Sequence, residues 1–308
     1  MGRFCGRSFD FDPRFPAKSA GCWDSGVVRA RHLGAVIIPA YNEAAVIERT
    51  LAPLSGLAVD GHIELVVVCN GCRDNTADIA RSVPGVRVLE LEQGSKPAAL
   101  NAGDHAVTSW PRLYLDADIQ VTAQAVLAVF DRLDRGDVLV ARPAATYDTR
   151  GAGTLVRSYY RARNRVPQHK RAMWGAGAYG LSEEGHRRFG EFPMITGDDW
   201  FIDAQFGSDE KAVVTTEPSV VTTPANIESL LAIRRRIHRG TGKLPPGYAP
   251  DLTTGSTGMT TAFAVMRTVR GPRSLFDAVV YVGVALAARW SPRSTPLWER
   301  DESSRSHA

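Results

Sequence analysis

The sequence lacks an uninterrupted apolar run long enough to span a bilayer, which takes roughly 18 residues or more. Its most apolar segment, SLFDAVVYVGVALAARW at residues 274–290, is broken by Asp277. The N-terminal stretch MGRFCGRSFDFDPRFPAKSAGCWDSG also lacks the apolar core of a secretory signal. We therefore expect a cytoplasmic protein without a spanning helix. Residues 274–290 fit either a core helix or a helix lying on a membrane surface.

Cysteine is scarce, with only Cys5, Cys22, Cys69 and Cys72 among 308 residues. Cys69 and Cys72 have the C-x-x-C spacing of zinc and redox sites, but a structural zinc site needs a second pair at suitable spacing. A thioredoxin-like pair would begin a helix, whereas Cys69 ends a predicted strand. We expect both thiols to be ordinary strand-end and loop residues.

Excess charge is also small, at +4 with a pI near 9.0. This balance favours phosphate-bearing ligands or an anionic membrane surface, and it is too weak to indicate nucleic acid. The chain is 44% hydrophobic and 23% charged, as expected of a folded soluble protein.

From residue 34 onward, short apolar strands alternate with segments of helical periodicity. Near-continuous apolar strands separated by helices predict an α/β fold with a mostly parallel sheet covered on both faces. Thr76 and Thr122 are predicted helix caps. The predicted strands are AVIIPA, IELVVVC, VRVLELE, PRLYLDAD and DVLVAR.

Polar clusters follow three of these strands, at residues 41–43, 70–74 and 116–118. Ligands of parallel sheets bind at the carboxyl ends of strands. In the third cluster, Asp116 and Asp118 lie on the same side of the chain if the strand stays extended through them. Two like charges on one side are unfavourable unless a cation lies between them. The alternative is a solvated Asp-x-Asp turn.

Seven motifs in order resemble family-2 glycosyltransferases, which are inverting enzymes of the GT-A fold that use nucleotide sugars. The resemblance covers roughly residues 34–243. It departs from processive relatives at IRRRIHRG, where Ile233 and Ile237 replace the Gln and Trp of Q-x-x-R-W, and it therefore implies a non-processive bacterial type. The motifs are VIIPAYNEAAVIERTL, VVVCNGCRDNTADIA, GSKPAALNAG, LYLDADIQV, GAGAYGLS, GDDWF and RRRIHRG.

The resemblance implies a donor site built around the D-A-D triplet, with Asp118 the direct ligand of Mn²⁺ or Mg²⁺ and Asp116 a further ligand facing the sugar or ribose. Oxygen ligands suit these cations. Asn70 stands where relatives often have an aspartate, so the base of the nucleotide is left open. The implied nucleotide-sugar residues are Pro39, Tyr41, Glu43, Asn70, Lys96, Asp116, Ala117 and Asp118.

The same resemblance implies that Asp199 is the general base, because inversion requires deprotonation of the acceptor hydroxyl. Asp198 takes the place usually held by Glu, and it could also cap a helix. Arg236 is a candidate diphosphate contact or part of a solvated basic face. The implied sugar and acceptor residues are Trp174, Gly175, Gly177, Asp198 and Trp200.

Two alternatives to a glycosyltransferase stay open. A sugar-phosphate nucleotidyltransferase would carry a Gly-rich phosphate loop after the first strand, and PAYNEAAV has no glycine. A degenerate nucleotide-sugar binding protein would have lost Asp118 or Asp199, and both are present.

The acceptor is expected to be a lipid-linked or cell-envelope glycan, reached by peripheral contact with the inner face of the cell membrane. The predicted domains are a disordered extension (1–33), the catalytic domain (34–243, divided at 142/143 into nucleotide-sugar and acceptor halves), a C-terminal extension (244–295) and a disordered tail (296–308).

Overall fold

The computed structural model describes residues 33–240 and 258–289, without the side chains of 238–240 and 258–260. Residues 1–32 of the expected extension (1–33), most of the segment between the catalytic domain and the last helix, and the tail at 296–308 lie outside the described residues. Cys5 and Cys22 lie there too. The domain boundaries therefore stay a prediction.

Strands and helices alternate through the first half of the described chain. The strands are β1 Gly34–Ala40, β2 Ile63–Asn70, β3 Val86–Leu91, β4 Arg112–Leu115, β5 Val140–Asp148, β6 Ala178–Leu181 and β7 Lys211–Thr222. The helices are α1 Ile47–Val59, α2 Thr76–Ser82, α3 Lys96–Ala106, α4 Ala123–Asp134, α5 Thr154–Arg165, α6 Pro167–Arg171, α7 Glu183–Arg187, α8 Asp198–Gln205, α9 Ile227–Gly240, α10 Gly258–Met266 and α11 Pro272–Arg289.

All seven strands form one sheet in the order β3-β2-β1-β4-β6-β5-β7. Neighbouring strands from β3 to β4 run parallel, as do β5 and β7, while β6 is antiparallel to β4 and β5. The mostly parallel α/β sheet predicted from the apolar strands is confirmed. The antiparallel β6 brings the segment before it to the carboxyl end of β4.

Alternate residues of β1 point to opposite faces of the sheet, and each face is covered by helices. Val36 and Ile38 pack with residues of α1, α2 and α4, whereas Ala35 and Ile37 pack with α3 and α8. All four side chains are fully buried. Burial on both faces explains why the strands are continuous apolar runs.

A third apolar cluster joins α5, α9, α10 and α11. Helix α11 buries Ala278, Tyr281 and Val284 in it. Asp277, which interrupts the apolar segment, is 1% exposed and binds Arg161 and Arg165 of α5 at 2.7 and 2.8 Å. One face of this helix is therefore a core face. In the described part of the chain, no helix is long and apolar enough to cross a membrane.

Two local predictions were wrong. Strand β4 ends at Leu115, so Asp116 and Asp118 lie in a turn that is closed by the bond from the Ile119 amide to the Asp116 carbonyl (3.1 Å). Thr76 is the first residue of α2 and does not cap it, because its hydroxyl accepts from the Glu43 amide at 2.7 Å. The predicted cap at Thr122 is confirmed, since its side chain accepts from the Ala125 amide.

Candidate active site at the carboxyl end of the sheet

A small cleft opens where β1 and β4 end, between the start of α3 and the start of α8. Most of its polar residues were predicted as site residues from the sequence, although the sequence places them far apart. Its lining consists of Pro39, Lys96, Leu100, Tyr114, Leu115, Asp116, Gly177, Tyr179, Asp198 and Asp199.

The cation inferred to lie beside the aspartates is, in this structure, the side chain of Lys96. Its ammonium binds Asp116 Oδ1 at 2.6 Å and Asp198 Oδ1 at 2.8 Å. Burial by itself would lower the pKa of Lys96, but Asp116, Asp198 and Asp199 raise it above its usual value. Two ion pairs therefore hold Lys96 in the cleft.

Helix α3 places Lys96 at this position. Ser95 caps the helix by accepting from the Ala98 amide at 3.3 Å, and Pro97 fits the first turn because it needs no amide donor there. The amide end of the helix thus faces the cleft, where its dipole favours negative charge. The site combines a lysine and a helix N-terminus, both suited to phosphate.

Burial, together with the charges of Asp198 and Asp118, raises the pKa of Asp116 to about 6 against the opposing effect of Lys96. The Asp116 amide donates to the Gly177 carbonyl at 2.8 Å, which fixes the turn against β6. Ala117 packs its side chain in the core, and its carbonyl accepts from Thr50 at 2.8 Å. In the D-A-D triplet, Ala117 is buried, whereas Asp116 and Asp118 are half-buried.

Helix α8 presents two acids to different partners. Gly197, with φ of 97°, precedes the helix, so Asp198 is its first residue and does not cap it. Asp198 is buried and accepts from the Tyr179 hydroxyl at 2.9 Å as well as from Lys96. Asp199 is half-buried and accepts from the Gly175 amide at 2.7 Å. Burial raises the pKa of Asp199, and so does the charge of Asp198.

The segment before β6 is held beside Asp199 by several polar contacts. Arg142 donates to the Ala172 carbonyl at 2.7 Å, and Asp203 accepts from the Met173 amide at 2.8 Å. The Tyr147 hydroxyl donates to the Gly175 carbonyl. A Cβ atom on Gly177, whose φ is 65°, would lie 2.3 Å from Ile119. This segment, residues 172–177, contains the predicted acceptor residues Trp174, Gly175 and Gly177 and is called the acceptor loop below.

The predicted base-binding residues lie along the ends of β1 and β2. Asn70 is buried, and its amide donates to the Ala40 carbonyl at 2.8 Å, so it joins the two strand ends. Glu43 is also buried and begins the turn into α1, while Tyr41 is half-buried beside Gly94. Cys72 accepts from the Asn42 amide at 3.3 Å, so this thiol has a loop-fixing contact.

Trp174, Trp200 and Arg236 do not line the cleft. Trp174 packs edge-on against His169 and lies near Arg163, whose guanidinium carbon is 5.5 Å from the indole ring. Trp200 follows the two acids on α8, and its amide donates to Asp199 at 2.7 Å. Arg236 is half-buried on α9. Their functional roles stay predictions.

Sequence reasoning missed Tyr179 and Tyr114, which pair directly across β6 and β4 and both line the cleft. Tyr179 stands within the quoted GAGAYGLS motif, so the motif contained the signal. Arg163 and Tyr147, which contact the acceptor loop from the other side, had no local signal.

The residues present fit a divalent cation that takes part of its ligands from a substrate. In the described ranges, no group of three or more His, Cys, Asp and Glu side chains forms a ready-made cage. Mg²⁺ is usually held by one or two carboxylates together with phosphate oxygens and water. Asp116 and Asp118, both half-buried at one turn, supply such carboxylates.

Comparison with known proteins agrees with this layout. Residues 35–182 match the family described as Glycosyl transferase family 2. This part of the chain is a family 2 glycosyltransferase domain. The match includes the D-A-D turn, Lys96 and the acceptor loop, while Asp198 and Asp199 follow its end. No curated protein sequence matches the chain significantly.

Solved structures show that the glycosyltransferase domain has the GT-A fold. A mannosyltransferase from Pyrobaculum calidifontis, in complex with GDP-Man and Mn²⁺, is 20% identical with a TM-score of 0.57, covering 87% of this chain and 89% of its own. Glucosyl-3-phosphoglycerate synthase from Mycobacterium tuberculosis, in complex with Mn²⁺, UDP-Glc and phosphoglyceric acid, is 22% identical with a TM-score of 0.52, covering 74% and 88%.

Proposed function

We propose that the protein transfers a sugar from a nucleoside-diphosphate sugar to an acceptor hydroxyl, with inversion and with Asp199 as the general base. The observation that carries this proposal is the position of Asp199. Its carboxylate lies between the cleft of Lys96, Asp116 and Asp198 on one side and the acceptor loop on the other. The mannosyltransferase and the synthase were solved with nucleotide sugars and Mn²⁺, which supports the same class of donor here.

In the proposed reaction Lys96 and the start of α3 bind the donor diphosphate, with Asp118 and Asp116 holding the cation. When bound, a divalent cation neutralises charge on the leaving diphosphate. Asp199 accepts the proton of the acceptor hydroxyl, and its raised pKa makes it a stronger base than an ordinary aspartate. The Gly175 amide orients its Oδ2 atom. Asp198 stays bound to Lys96 and Tyr179, so we assign it a positioning role.

A panel of UDP- and GDP-sugars, assayed for hydrolysis and transfer with and without Mn²⁺, tests this proposal. We expect one donor to be consumed in a Mn²⁺-dependent reaction that releases nucleoside diphosphate. Asp118→Ala should abolish the Mn²⁺ dependence of donor binding. Asp131→Ala, at an exposed acid on α4, is the matched control. Consumption of a nucleoside triphosphate with release of pyrophosphate would instead favour the nucleotidyltransferase, and donor binding without turnover the degenerate binding protein.

We propose further that the acceptor is lipid-linked and that α10 and α11 contact the membrane surface. Exposed apolar residues on these helices lie beside the exposed arginines Arg267, Arg270 and Arg273, a combination that suits anionic lipid. On α11 they follow the spacing of one helical face, opposite the buried one. The apolar residues are Phe263, Met266, Leu275, Phe276, Val279 and Leu286, all between 45% and 70% exposed.

Because the other face of α11 belongs to the core, a test by point substitution is sharper than deletion of the helix. We expect Phe276→Ser combined with Val279→Ser to weaken sedimentation with anionic liposomes, and added salt to weaken it in the unsubstituted protein. Val59→Ser, an exposed valine on α1, serves as the control. Equal sedimentation of both variants would contradict membrane contact through this face.

A further inference from the structure

Helix α5 divides its arginines between two faces. Arg161 and Arg165 are one helical turn apart and share the carboxylate of Asp277. Arg163 lies between them in sequence and therefore points away, toward the acceptor loop. Its guanidinium carbon lies 4.3 Å from the centre of the Tyr147 ring. Although Arg163 is only 7% exposed, no described carboxylate lies within ion-pair distance of it.

A second arginine, Arg234, lies on α9, which packs with α5 in the third apolar cluster. Arg234 is half-buried, and its Nε atom is buried without a hydrogen-bond partner among the described residues. Burial lowers the pKa of the nearby His169 to about 4, and the charges of Arg163 and Arg234 contribute to this lowering. The two arginines thus create a locally positive region that the described acids do not neutralise. Buried charges are normally paired, because leaving one unpaired is costly.

Gly175 lies between this positive region and Asp199, the proposed base. The Gly175 amide donates to Asp199, while a Cβ atom on Gly175 would lie 2.6 Å from an Arg163 terminal nitrogen. Lys96 and Asp199 line the cleft assigned to the donor, whereas Arg163 and Gly175 do not. A cation on the acceptor side of the base is therefore separate from the cation on the donor side.

Aromatic side chains pack around Arg163, whose guanidinium carbon lies 4.3 Å from the centre of the Tyr147 ring and 5.5 Å from that of Trp174. Tyr147, Tyr160 and Trp174 are each half-buried, and Tyr147 and Tyr160 pack together with ring centroids 5.0 Å apart. Aromatic walls around buried guanidinium groups are typical of pockets that bind an organic anion.

We infer that Arg163 and Arg234 form an anion subsite that binds a phosphate group of the acceptor. The inference rests on the proposed function, since it takes Asp199 as the base. A guanidinium group can donate two parallel hydrogen bonds to two phosphate oxygens, and a bound phosphate would supply the negative charge that the two arginines lack. It would also place an acceptor hydroxyl near Asp199. The gain to the enzyme is selection of phosphorylated acceptors over neutral sugars.

Calorimetric titration with glycerol 3-phosphate tests the subsite in the full-length protein. The titration is made with UDP or GDP and Mn²⁺ present at saturation, so that the donor diphosphate site is filled. We expect glycerol 3-phosphate to bind and glycerol not to bind. Arg163→Gln and Arg234→Gln should each weaken binding about tenfold or more, because each removes a charged hydrogen-bond donor. Arg135→Gln, at the exposed arginine that follows α4, should leave binding unchanged.

Arg163→Lys keeps a positive charge and should retain part of the affinity, which separates loss of charge from loss of folding. Thermal melts of every variant check the fold, and Arg234→Gln decides the question if Arg163→Gln does not fold. Vesicles containing phosphatidic acid, added as competitors, distinguish a lipid head group from a soluble phosphate; either source keeps the subsite.

Three results would overturn the inference: no saturable binding by the unsubstituted protein, equal binding by the Gln variants, or loss of binding once nucleoside diphosphate and Mn²⁺ are added. The last would assign the arginines to the donor. Failure of the nucleoside diphosphate itself to bind would count against the proposed function, and glycerol 3-phosphate could still be titrated without it.

Discussion

Replacing Lys96 by methionine removes the cation that joins the donor-side carboxylates. Methionine keeps the unbranched shape and helix propensity of the side chain, so loss of charge is the main change. The lysine ammonium lies 2.6 Å from Asp116 and 2.8 Å from Asp198. The side chain of Asp198 is 8% exposed and would keep the hydrogen bond from Tyr179.

Removing one partner of a buried ion pair costs about 3–5 kcal/mol, while an exposed pair contributes about 0–1 kcal/mol. Lys96 falls between these cases, because its own side chain is 32% exposed and that of Asp116 is 39% exposed. Its removal also recovers the cost of burying an ammonium group. We expect the free energy of unfolding to fall by about 2 kcal/mol, or about thirtyfold in the equilibrium constant.

The loss should depend on pH. Burial raises the pKa of Asp116 to about 6 from an ordinary value of 3.8, and Lys96 opposes this rise. Without Lys96 the pKa of Asp116 rises further in the folded state only. A carboxyl whose pKa is higher folded than unfolded stabilises the fold as pH falls. The difference in stability between the two proteins should therefore shrink from mildly alkaline pH to about pH 5.

Urea unfolding followed by far-UV circular dichroism measures both effects, as a shift in midpoint with an unchanged slope. Lys170→Met, on an exposed lysine of α6, controls for the substitution itself. Equal midpoints for the two variants would refute the reasoning, and so would a difference that widens toward acid pH.

Three further predictions concern the base, the acceptor loop and the C-terminal packing. Asp199→Asn should lower turnover by about 10²–10⁴-fold with nucleotide binding unchanged. Because burial and the charge of Asp198 raise the pKa of Asp199, the unsubstituted enzyme should lose turnover on acidification at a higher pH than that at which an ordinary aspartate protonates. A pH–rate profile that is flat to about pH 4 would contradict this. Gly177→Ala should lower the free energy of unfolding by about 2–3 kcal/mol, because its Cβ atom would lie 2.3 Å from Ile119 at a positive φ. The control Gly136→Ala, at φ of 76° with open space around it, should lower it by about 1 kcal/mol. Equal urea midpoints for the two variants would contradict this, because they would show that the contact with Ile119 is relieved. Asp277→Asn should destabilise the fold by leaving Arg161 and Arg165 without their carboxylate. Because those arginines lower the pKa of Asp277 against its burial, the stability that Asp277 contributes is present above its unfolded pKa and is lost as pH falls through its folded pKa. Urea midpoints across that pH range check this, and a variant with the same acid dependence of stability as the unsubstituted protein would contradict it.

Local sequence patterns predicted the parallel half of the fold well. Strands β1, β2 and β3 begin and end near the predicted positions, because burial of both sheet faces imposes unbroken apolar runs on the sequence. The antiparallel insertion of β6 between β4 and β5 had no such local signal. Strand order depends on which surfaces are left for a later segment, and that is decided by the whole chain.

The candidate site, too, could be predicted only in part. The strand-end clusters could be found from sequence, since parallel strands bring their carboxyl ends to one edge. Which of these side chains contact each other could not be predicted from the sequence. The sequence alone suggested that Asp116 and Asp118 share one side of an extended strand, whereas a turn places them and Lys96 binds Asp116.

The sequence by itself determined the type of sheet, the edge at which the acids and Lys96 gather and the resemblance to a glycosyltransferase, because each follows from periodicity, order along the chain or short motifs. Only the tertiary structure decided that Lys96 joins Asp116 to Asp198, that Asp199 faces the acceptor loop and that Arg163 adjoins Gly175. Charges interact over a few ångströms in space whatever their separation in sequence. For this reason, residues far apart in the chain acquire their roles only when the sheet and its helices bring them together.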